Sequence, residues 1–174
     1  MSARRLDGVL LLDKPLGMTS SAAVQRVKRL YRARKAGHAG TLDPLASGVL
    51  LVLFGEATKF AGFGLEAAKE YVADVQLGVA TRTGDAEGEV TGRRPVQVGG
   101  EDLERALARF RGTIAQVPPM YSALKHGGQP LYALARAGRA VERAARAITV
   151  HALELLDRDG ERLRLRILCS KGTY

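Results

Sequence analysis

The sequence contains a single cysteine, Cys169, and no tryptophan among its 174 residues. One thiol can form neither a disulfide within the chain nor a thiolate zinc site, so both kinds of cross-link are excluded. The three histidines, His38, His126 and His151, lie far apart without ligand-like spacing, and we therefore expect no metal site. No apolar run is long enough for a signal peptide or a membrane span, so we expect a cytoplasmic protein.

Acidic residues are also scarce, with 18 Asp and Glu against 27 Lys and Arg, which gives a formal net charge of +9. Such a balance predicts attraction to polyanions, most often nucleic acid. It also fits any soluble protein with a basic surface, so charge alone does not decide between these classes. The 46% of hydrophobic residues is enough for an ordinary core.

Short apolar runs and amphipathic stretches follow each other without the regular alternation of a parallel sheet. The patterns predict strands in 8–15, 48–55 and 69–78, two more around the turn Asp159-Gly160, and helices in 19–35, 101–112 and 131–146. On the face of the 101–112 helix we expect Leu103, Ala106, Leu107 and Phe110. This mixture favours an α+β fold with a mixed, largely antiparallel sheet flanked by helices.

The first predicted helix is strongly basic. Thr19 or Ser20 is its expected N-cap, and Val24, Val27 and Leu30 are expected on its buried face. The candidate phosphate-binding residues on this helix and just after it are Arg26, Arg29, Arg32 and Lys35. A charged helix face is often only solvated, but no acidic residue occurs from 26 to 35, which favours contacts with phosphate.

A loop containing several glycines, "GHAGTLDP", places Asp43 just before the apolar strand that begins at Gly48. By itself, an aspartate before a proline is typical of a turn or a helix cap. The glycines of the loop could let the backbone approach a large ligand, although they are also common in ordinary turns. The loop has no dinucleotide or phosphate-loop fingerprint.

Glycoside hydrolysis would need two carboxylates, and the nearest candidate, Glu56, lies beyond a strand's length from Asp43. A single aspartate on a basic protein suits instead attack at a nucleoside's glycosidic carbon or base. An enzyme of that kind must first take the base out of its stack.

Five motifs resemble the TruB-type tRNA pseudouridine synthases. The motif around Asp43 is "GHAGTLDPLASGVLLVLFGEATKF", and the others are "LLDKPLGMTS", "KEYVADVQLG", "QVPPMYSALKHGGQPLYALARAG" and the terminal "CSKGTY". They occur in order and cover essentially the whole chain.

The resemblance implies isomerisation of the T-loop uridine of tRNA (position 55 of the tRNA) to pseudouridine, without metal or organic cofactor. It implies that Asp43 is the catalytic residue, acting either by attack at C1′ or by promoting elimination to a glycal. His38 would help to hold the T-loop open, Tyr71 would stack on the target base, and Tyr174 would contact substrate. Without the resemblance, core packing would be the preferred role for Tyr71. Lys14 matches a family position for which we expect a structural role near the active loop.

Members of the family that this chain resembles continue beyond the position of Tyr174. They carry an arginine that pairs with the catalytic aspartate, further strands, and a small RNA-binding PUA domain. We therefore expect residues 1–174 to be an N-terminal portion of the catalytic domain. We expect a monomer that binds the T-arm of tRNA, with no membrane and no obligate protein partner. Two alternatives remain: an RNA-binding fragment without turnover, and a relative that acts on another RNA with a guide RNA and partner proteins.

Overall fold

The computed structural model describes residues 3–122 and 124–174, and the chain divides into two compact units, Met1–Ala67 and Ala68–Tyr174. Both units combine antiparallel strands with short helices. All pairs of named strands are antiparallel, and the isolated bridge between Arg4 and Ala33 is parallel. The predicted α+β class is confirmed.

The first unit is built on a three-stranded sheet. Its elements are β1 (Gly8–Lys14), α1 (Ser20–Leu30), β2 (Ala36–His38), β3 (Gly48–Phe54), a 3₁₀ helix (Gly55–Phe60) and α2 (Ala61–Glu66). Strand β3 lies in the centre and pairs with β1 on one side and β2 on the other. The loop that joins β2 to β3 lies at one end of this sheet.

Helix α1 packs on one face of this sheet. The inward residues of β3 meet the buried side of α1 in a core formed by Leu50, Val52, Phe54, Ala23, Val24, Val27 and Ala33. Full burial of a Val or Leu side chain stabilises a fold by about 1.5–3 kcal/mol, so this cluster fixes α1 against the sheet. Leu30 is 73% exposed, so its predicted place on the buried face is wrong. It is the last residue of α1.

The opposite face of the β1–β3 pair is apolar and partly open. Val9, Leu11 and Val49 point to this side, as the alternation along a strand requires, and all three are exposed. Leu51, which pairs with Leu11, is half-buried, and its side chain lies close to the backbone of Gly64 in α2. Helix α2 therefore covers only part of this face.

The second unit contains a four-stranded sheet in the order β4-β11-β10-β7 and two small hairpins, β5-β6 and β8-β9. Its elements are β4 (Lys69–Gln76), β5 (Val79–Thr81), β6 (Val90–Arg93), α3 (Gly100–Ala108), β7 (Gly112–Gln116), β8 (Lys125–His126), β9 (Gln129–Pro130), α4 (Leu131–Arg136), β10 (Arg146–Asp159) and β11 (Arg162–Cys169). The predicted turn at Asp159-Gly160 joins β10 to β11.

Helix α3 closes the core of the second unit with Leu103 and Leu107, which pack on buried residues of β10 and β11. Two other residues predicted on this face are exposed. Ala106 points to solvent, and Phe110, which is 56% exposed, lies beyond the end of the helix at Ala108. The period of 3.6 residues that places Phe110 on the buried face holds only within the helix, and Phe110 lies outside it. None of the helices in the described part of the chain is long and apolar enough to cross a membrane.

Candidate active site

Asp43 lies on the loop between β2 and β3. Its backbone carbonyl accepts a hydrogen bond from Ala46 N at 3.0 Å, which closes a turn with Pro44 at the second position. Its side chain is exposed, and the carboxylate makes no hydrogen bond or ion pair with any residue in 3–122 or 124–174. The backbone of Asp43 thus builds the turn that the sequence predicts, while its side chain has no capping role in the described structure.

The residues on both sides of Asp43 are held by the segment that leads into α1. Ser20 Oγ donates to the carbonyl of Leu42 and accepts from its N–H, both at 2.9 Å. The N–H of Gly17 donates to the carbonyl of Pro44 at 2.7 Å. The candidate carboxylate therefore projects from a backbone that is tied down before and after it.

Lys14 supports the turn that carries Gly17. Its ammonium group donates to the carbonyls of Pro15, at 2.9 Å, and Met18, at 2.7 Å, and its side chain is completely buried. A buried charge is tolerated only where polar partners replace water, and here two backbone carbonyls do so. This arrangement agrees with the structural role expected for Lys14.

His38 ends β2 on the same loop as Asp43. Its Nδ1 is hydrogen-bonded to the carbonyl of Gly40. A carbonyl only accepts, so Nδ1 carries the proton, and Nε2 of the neutral ring remains an acceptor. The ring is half-buried, with its orientation set by this contact.

The glycines of the loop serve its backbone conformation. Gly40 and Gly48 have φ angles of +118° and +122°, which residues with a Cβ rarely adopt. A Cβ placed on either residue would meet no described atom within 4 Å. Within the described chain, these glycines are therefore explained by the shape of the loop rather than by a close neighbour.

Tyr71 and Tyr174 belong to the second unit and lie at the same end of its sheet. Tyr71 is the third residue of β4, opposite Ile167, and Tyr174 follows the end of β11. Both rings are partly exposed. Tyr71 lies on the face of β4 that also carries Ala73 and Val75, as the alternation predicts, but at the open margin of that face.

The end of the chain is fixed by the side chain of Gln116, the last residue of β7. Gln116 Nε2 donates to the backbone oxygen of Tyr174 at 2.6 Å, and its Oε1 accepts from Tyr174 N at 3.0 Å. Thr173 adds a hydrogen bond from its hydroxyl to the carbonyl of Ser170 at 2.9 Å. The turn that presents Tyr174 is therefore closed on itself and anchored to β7.

A charged cluster crosses the outer face of this sheet. Arg166 donates to Glu70 at 2.7 Å and to Glu154 at 3.1 Å, which links β11 to both of its neighbours. The hydrogen bond from Arg166 lowers the pKa of Glu70 below its usual 4.5, and the two carboxylates raise the pKa of Arg166. This cluster holds β4, and with it the strand of Tyr71, in register.

The four candidate phosphate ligands, Arg26, Arg29, Arg32 and Lys35, are all exposed. No acidic side chain of the described ranges forms an ion pair with them. Arg32 follows the C-cap of α1 with φ +53°, a left-handed conformation that is uncommon outside glycine. The structure thus leaves four positive side chains available along and just after one helix.

Glu56 does not pair with Asp43. The two residues lie beyond opposite ends of β3, whose seven residues span roughly 23 Å at about 3.3 Å each. Glu56 is instead ion-paired with Lys59 in the 3₁₀ helix. The two-carboxylate arrangement of a glycosidase is absent between these residues.

The sequence does not predict the roles of Ser20, which fixes the backbone beside Asp43, and of Gln116, which fixes the backbone of Tyr174. The sequence presents Ser20 only as a possible N-cap, whereas the structure assigns the cap to Thr19, which accepts from Ala22 N at 3.1 Å. Gln116 lies outside the strands and helices that the sequence predicts. The partners of Ser20 and Gln116 lie 22 and 58 residues away, and no local spacing rule reaches that far.

Comparison with known proteins gives consistent results. The TruB family pseudouridylate synthase N-terminal domain matches residues 28–174. Curated relatives named tRNA pseudouridine synthase B include those of Ectopseudomonas mendocina, 62% identical over 98% of this chain, and Chromobacterium violaceum, 58% identical over 98%. In both cases the match covers 56% of the relative, so the chain spans about half the length of these proteins.

Solved structures share the fold. A structure of a Cbf5-Nop10-Gar1 complex contains a chain 32% identical to this one with a TM-score of 0.73, covering 98% of this chain and 41% of that chain. A structure of an H/ACA RNP bound to a substrate RNA gives 29% identity and a TM-score of 0.68, covering 96% and 39%. The match of the family's domain to most of the chain, together with these likenesses, places the chain in the TruB family of pseudouridylate synthases, as an N-terminal portion.

Proposed function

We propose that this chain is the catalytic portion of an enzyme that converts the T-loop uridine of tRNA to pseudouridine, with Asp43 as the catalytic carboxylate. The observation that carries the proposal is the placement of Asp43: its carboxylate is exposed, while the backbone on both sides is anchored through Leu42 and Pro44. Preorganisation of this kind lowers the cost of bringing a catalytic group to a reacting atom. Membership of the TruB family supports the reaction class.

The isomerisation needs no atom beyond the substrate and water. The bond from N1 of uracil to C1′ breaks, the uracil turns while it stays bound, and a bond from C5 to C1′ forms. The hydrogen on C5 leaves as a proton, and N1 gains a proton. Asp43 acts at the ribose, where its negative charge favours departure of the base.

The other candidate residues bind the extruded nucleotide. Tyr71 offers a partly exposed ring on which the uracil can stack, and stacking of a base on an aromatic side chain is worth about 1–3 kcal/mol. His38 offers Nε2 as an acceptor for a hydroxyl or base N–H of the opened T-loop. Tyr174 is a further contact whose backbone is already ordered by Gln116.

The exposed Arg26, Arg29, Arg32 and Lys35 favour phosphate contacts, with affinity that falls as salt rises through counterion release. We further propose tRNA itself as the substrate, in the cytoplasm, bound by a monomer without partner proteins. The names of the relatives at about 60% identity favour tRNA over a guided RNA, which is the setting of the more distant H/ACA structure.

The test is release of tritium from a T-arm stem-loop labelled at C5 of uridine. The chain is compared with Asp43→Asn and, as a matched control, with Asp13→Asn, an exposed carboxylate at the end of β1. We expect release by the chain and the control, and a rate lower by about 10⁴-fold for Asp43→Asn with unchanged RNA binding.

Equal release by Asp43→Asn would contradict the role of this carboxylate. Salt-sensitive binding by all three proteins without release would contradict the catalytic proposal for this chain. It would support RNA binding alone, the second candidate, which the exposed basic side chains on and just after α1 favour.

A further inference from the structure

We propose that Ser20 is a positioning residue for the reaction, because its hydroxyl fixes the backbone from which Asp43 projects. The inference rests on the proposed function of Asp43 and adds a residue to which neither the sequence motifs nor the comparisons assign a role. It follows from the contacts of one buried hydroxyl group.

Ser20 is 3% exposed and is the first residue of α1. A hydroxyl has one proton to donate and lone pairs with which to accept. Here the donated bond goes to the carbonyl of Leu42 and an accepted bond comes from the N–H of the same residue. One side-chain atom therefore satisfies both backbone groups of Leu42, as a neighbouring strand would.

Capping of α1 does not account for this hydroxyl. The N-cap is Thr19, whose side chain accepts from Ala22 N and whose backbone is extended. Ser20 already lies inside the helix, where a serine is less favourable than an alanine. Its hydroxyl is thus used for the loop rather than for the helix end.

Leu42 transmits this constraint to Asp43. Its side chain packs on the buried cluster of α1 and β3, and its backbone is bound by Ser20. On the other side of Asp43, the carbonyl of Pro44 is bound by Gly17. With both neighbours fixed, the carboxylate of Asp43 retains mainly its side-chain torsions, and its Cα cannot drift.

Removal of the Ser20 hydroxyl leaves the N–H and the carbonyl of Leu42 without their described partners. Water can replace them, but water does not hold the backbone in one place. A displacement of about 1 Å in a reacting group can cost about 100-fold in rate, so the effect should appear in the chemical step rather than in RNA affinity.

The experiment compares Ser20→Ala with Thr19→Ala, which removes the true N-cap one residue earlier and keeps the Leu42 contact. Backbone order parameters of Leu42 and Asp43 come from ¹⁵N relaxation, and single-turnover tritium release is measured at saturating T-arm RNA. For Ser20→Ala we expect order parameters to fall from about 0.85 to below about 0.6. We expect the rate to fall about 10- to 100-fold with the Kd for RNA unchanged. Thr19→Ala should lower the midpoint of thermal unfolding and keep both the order and the rate.

Unchanged order at Leu42 and Asp43 in Ser20→Ala would overturn the proposal. The proposal would also be overturned if Ser20→Ala lowered the order parameters of Leu42 and Asp43 but released tritium as fast as Thr19→Ala. Catalysis by the Asp43 carboxylate would then not depend on the contact between Ser20 and Leu42. Absence of turnover in the parent chain would count against the proposed function instead. In that case the order parameters of Leu42 and Asp43 test the positioning role of Ser20. Lower values in Ser20→Ala support that role, and unchanged values overturn it.

Discussion

Gln116 and Tyr174 are joined by two hydrogen bonds, in which one side-chain amide binds both the N–H and the backbone oxygen of the tyrosine. The first unit shows the same device in Ser20 and Leu42. In each case a polar side chain on a regular element fixes the backbone at or beside a candidate residue, Tyr174 in the second unit and Asp43 in the first. The candidate side chains themselves remain exposed or partly exposed.

Replacement of Gln116 should loosen Tyr174 without unfolding the second unit. Gln116→Ala removes both hydrogen bonds, so the order parameter of the Tyr174 amide should fall. If Tyr174 contacts the substrate, RNA binding must then order it, at about 0.5–1.5 kcal/mol, which raises the Kd for a T-arm stem-loop about 2- to 10-fold. Titration monitored by a fluorescent RNA measures the change. Gln97→Ala, at an exposed glutamine of the same unit, is the control and should behave as the parent does; an ordered Tyr174 in Gln116→Ala would contradict the expectation.

Lys14→Met should destabilise the first unit strongly. The substitution keeps the length of the side chain but leaves the carbonyls of Pro15 and Met18 without their donor. We expect the free energy of unfolding to fall by about 2–4 kcal/mol, measured by urea denaturation. The exposed Lys35→Met should change it by less than about 0.5 kcal/mol. Equal stability of the two variants would show that the contacts of Lys14 contribute little.

Arg32→Gly should change two properties independently: the stability of the fold, through backbone strain at this position, and the salt dependence of RNA binding, through loss of the positive charge. Glycine tolerates the left-handed φ of +53°, so the variant should be more stable by about 0.5–1 kcal/mol. If Arg32 binds a phosphate, the slope of log Kd against log salt concentration should decrease by about one. Arg109→Gly, at the C-cap of α3 with an ordinary helical φ of −70°, should instead be destabilised. An unchanged salt slope in Arg32→Gly would remove Arg32 from the phosphate-binding set.

The Arg166 cluster should give the second unit a component of stability that is lost in acid. The pKa of Glu70 is lowered in the folded state, so its contribution is present above the unfolded value of 4.5 and disappears as the pH falls through the lower folded value. Glu70→Gln should therefore unfold at a slightly lower temperature than the parent at pH 7, and the two midpoints should converge below about pH 4.5. High salt should reduce the difference at pH 7.

Glu87→Gln serves as the comparison for this pH series, because Glu87 is an exposed carboxylate without a described ion pair. The midpoint of thermal unfolding of Glu87→Gln should equal that of the parent at each pH. A constant gap between Glu70→Gln and the parent down to pH 3 would show that the stabilising contact does not depend on the charge of Glu70.

The strand at 48–54 and the turn at Asp43 could be predicted well from the sequence, because both depend on local chemistry. A seven-residue apolar run fits a buried strand, and a proline after an aspartate fits a turn. The antiparallel class followed from the absence of strand–helix–strand alternation. These features need only neighbouring residues for their explanation.

The errors at Leu30 and Phe110 have a common cause. A period of 3.6 residues assigns a face only as far as the helix continues and remains over the sheet. Helix α1 ends at Leu30 and α3 ends at Ala108, so Leu30 is the last residue of its helix and Phe110 lies outside its helix. Helix ends are set by caps and by tertiary contacts, which the apolar period does not contain.

The roles of Ser20 and Gln116 depend on partners distant in the chain, and for this reason only the structure shows them. Thr19 and Ser20 can both cap a helix, but the hydroxyl of Ser20 is bound to Leu42, which lies 22 residues further on. The tyrosine bound by Gln116 lies 58 residues away.

The burial of Lys14 makes it a chemical reporter of the first unit. An amine-reactive reagent reaches the exposed Lys35 at once, but it can reach the ammonium group of Lys14 only when the unit opens. The rate at which Lys14 becomes labelled, read by mass spectrometry, therefore measures the frequency of that opening. This gives a residue-specific record of unfolding in a chain that has no tryptophan to serve as a fluorescent probe.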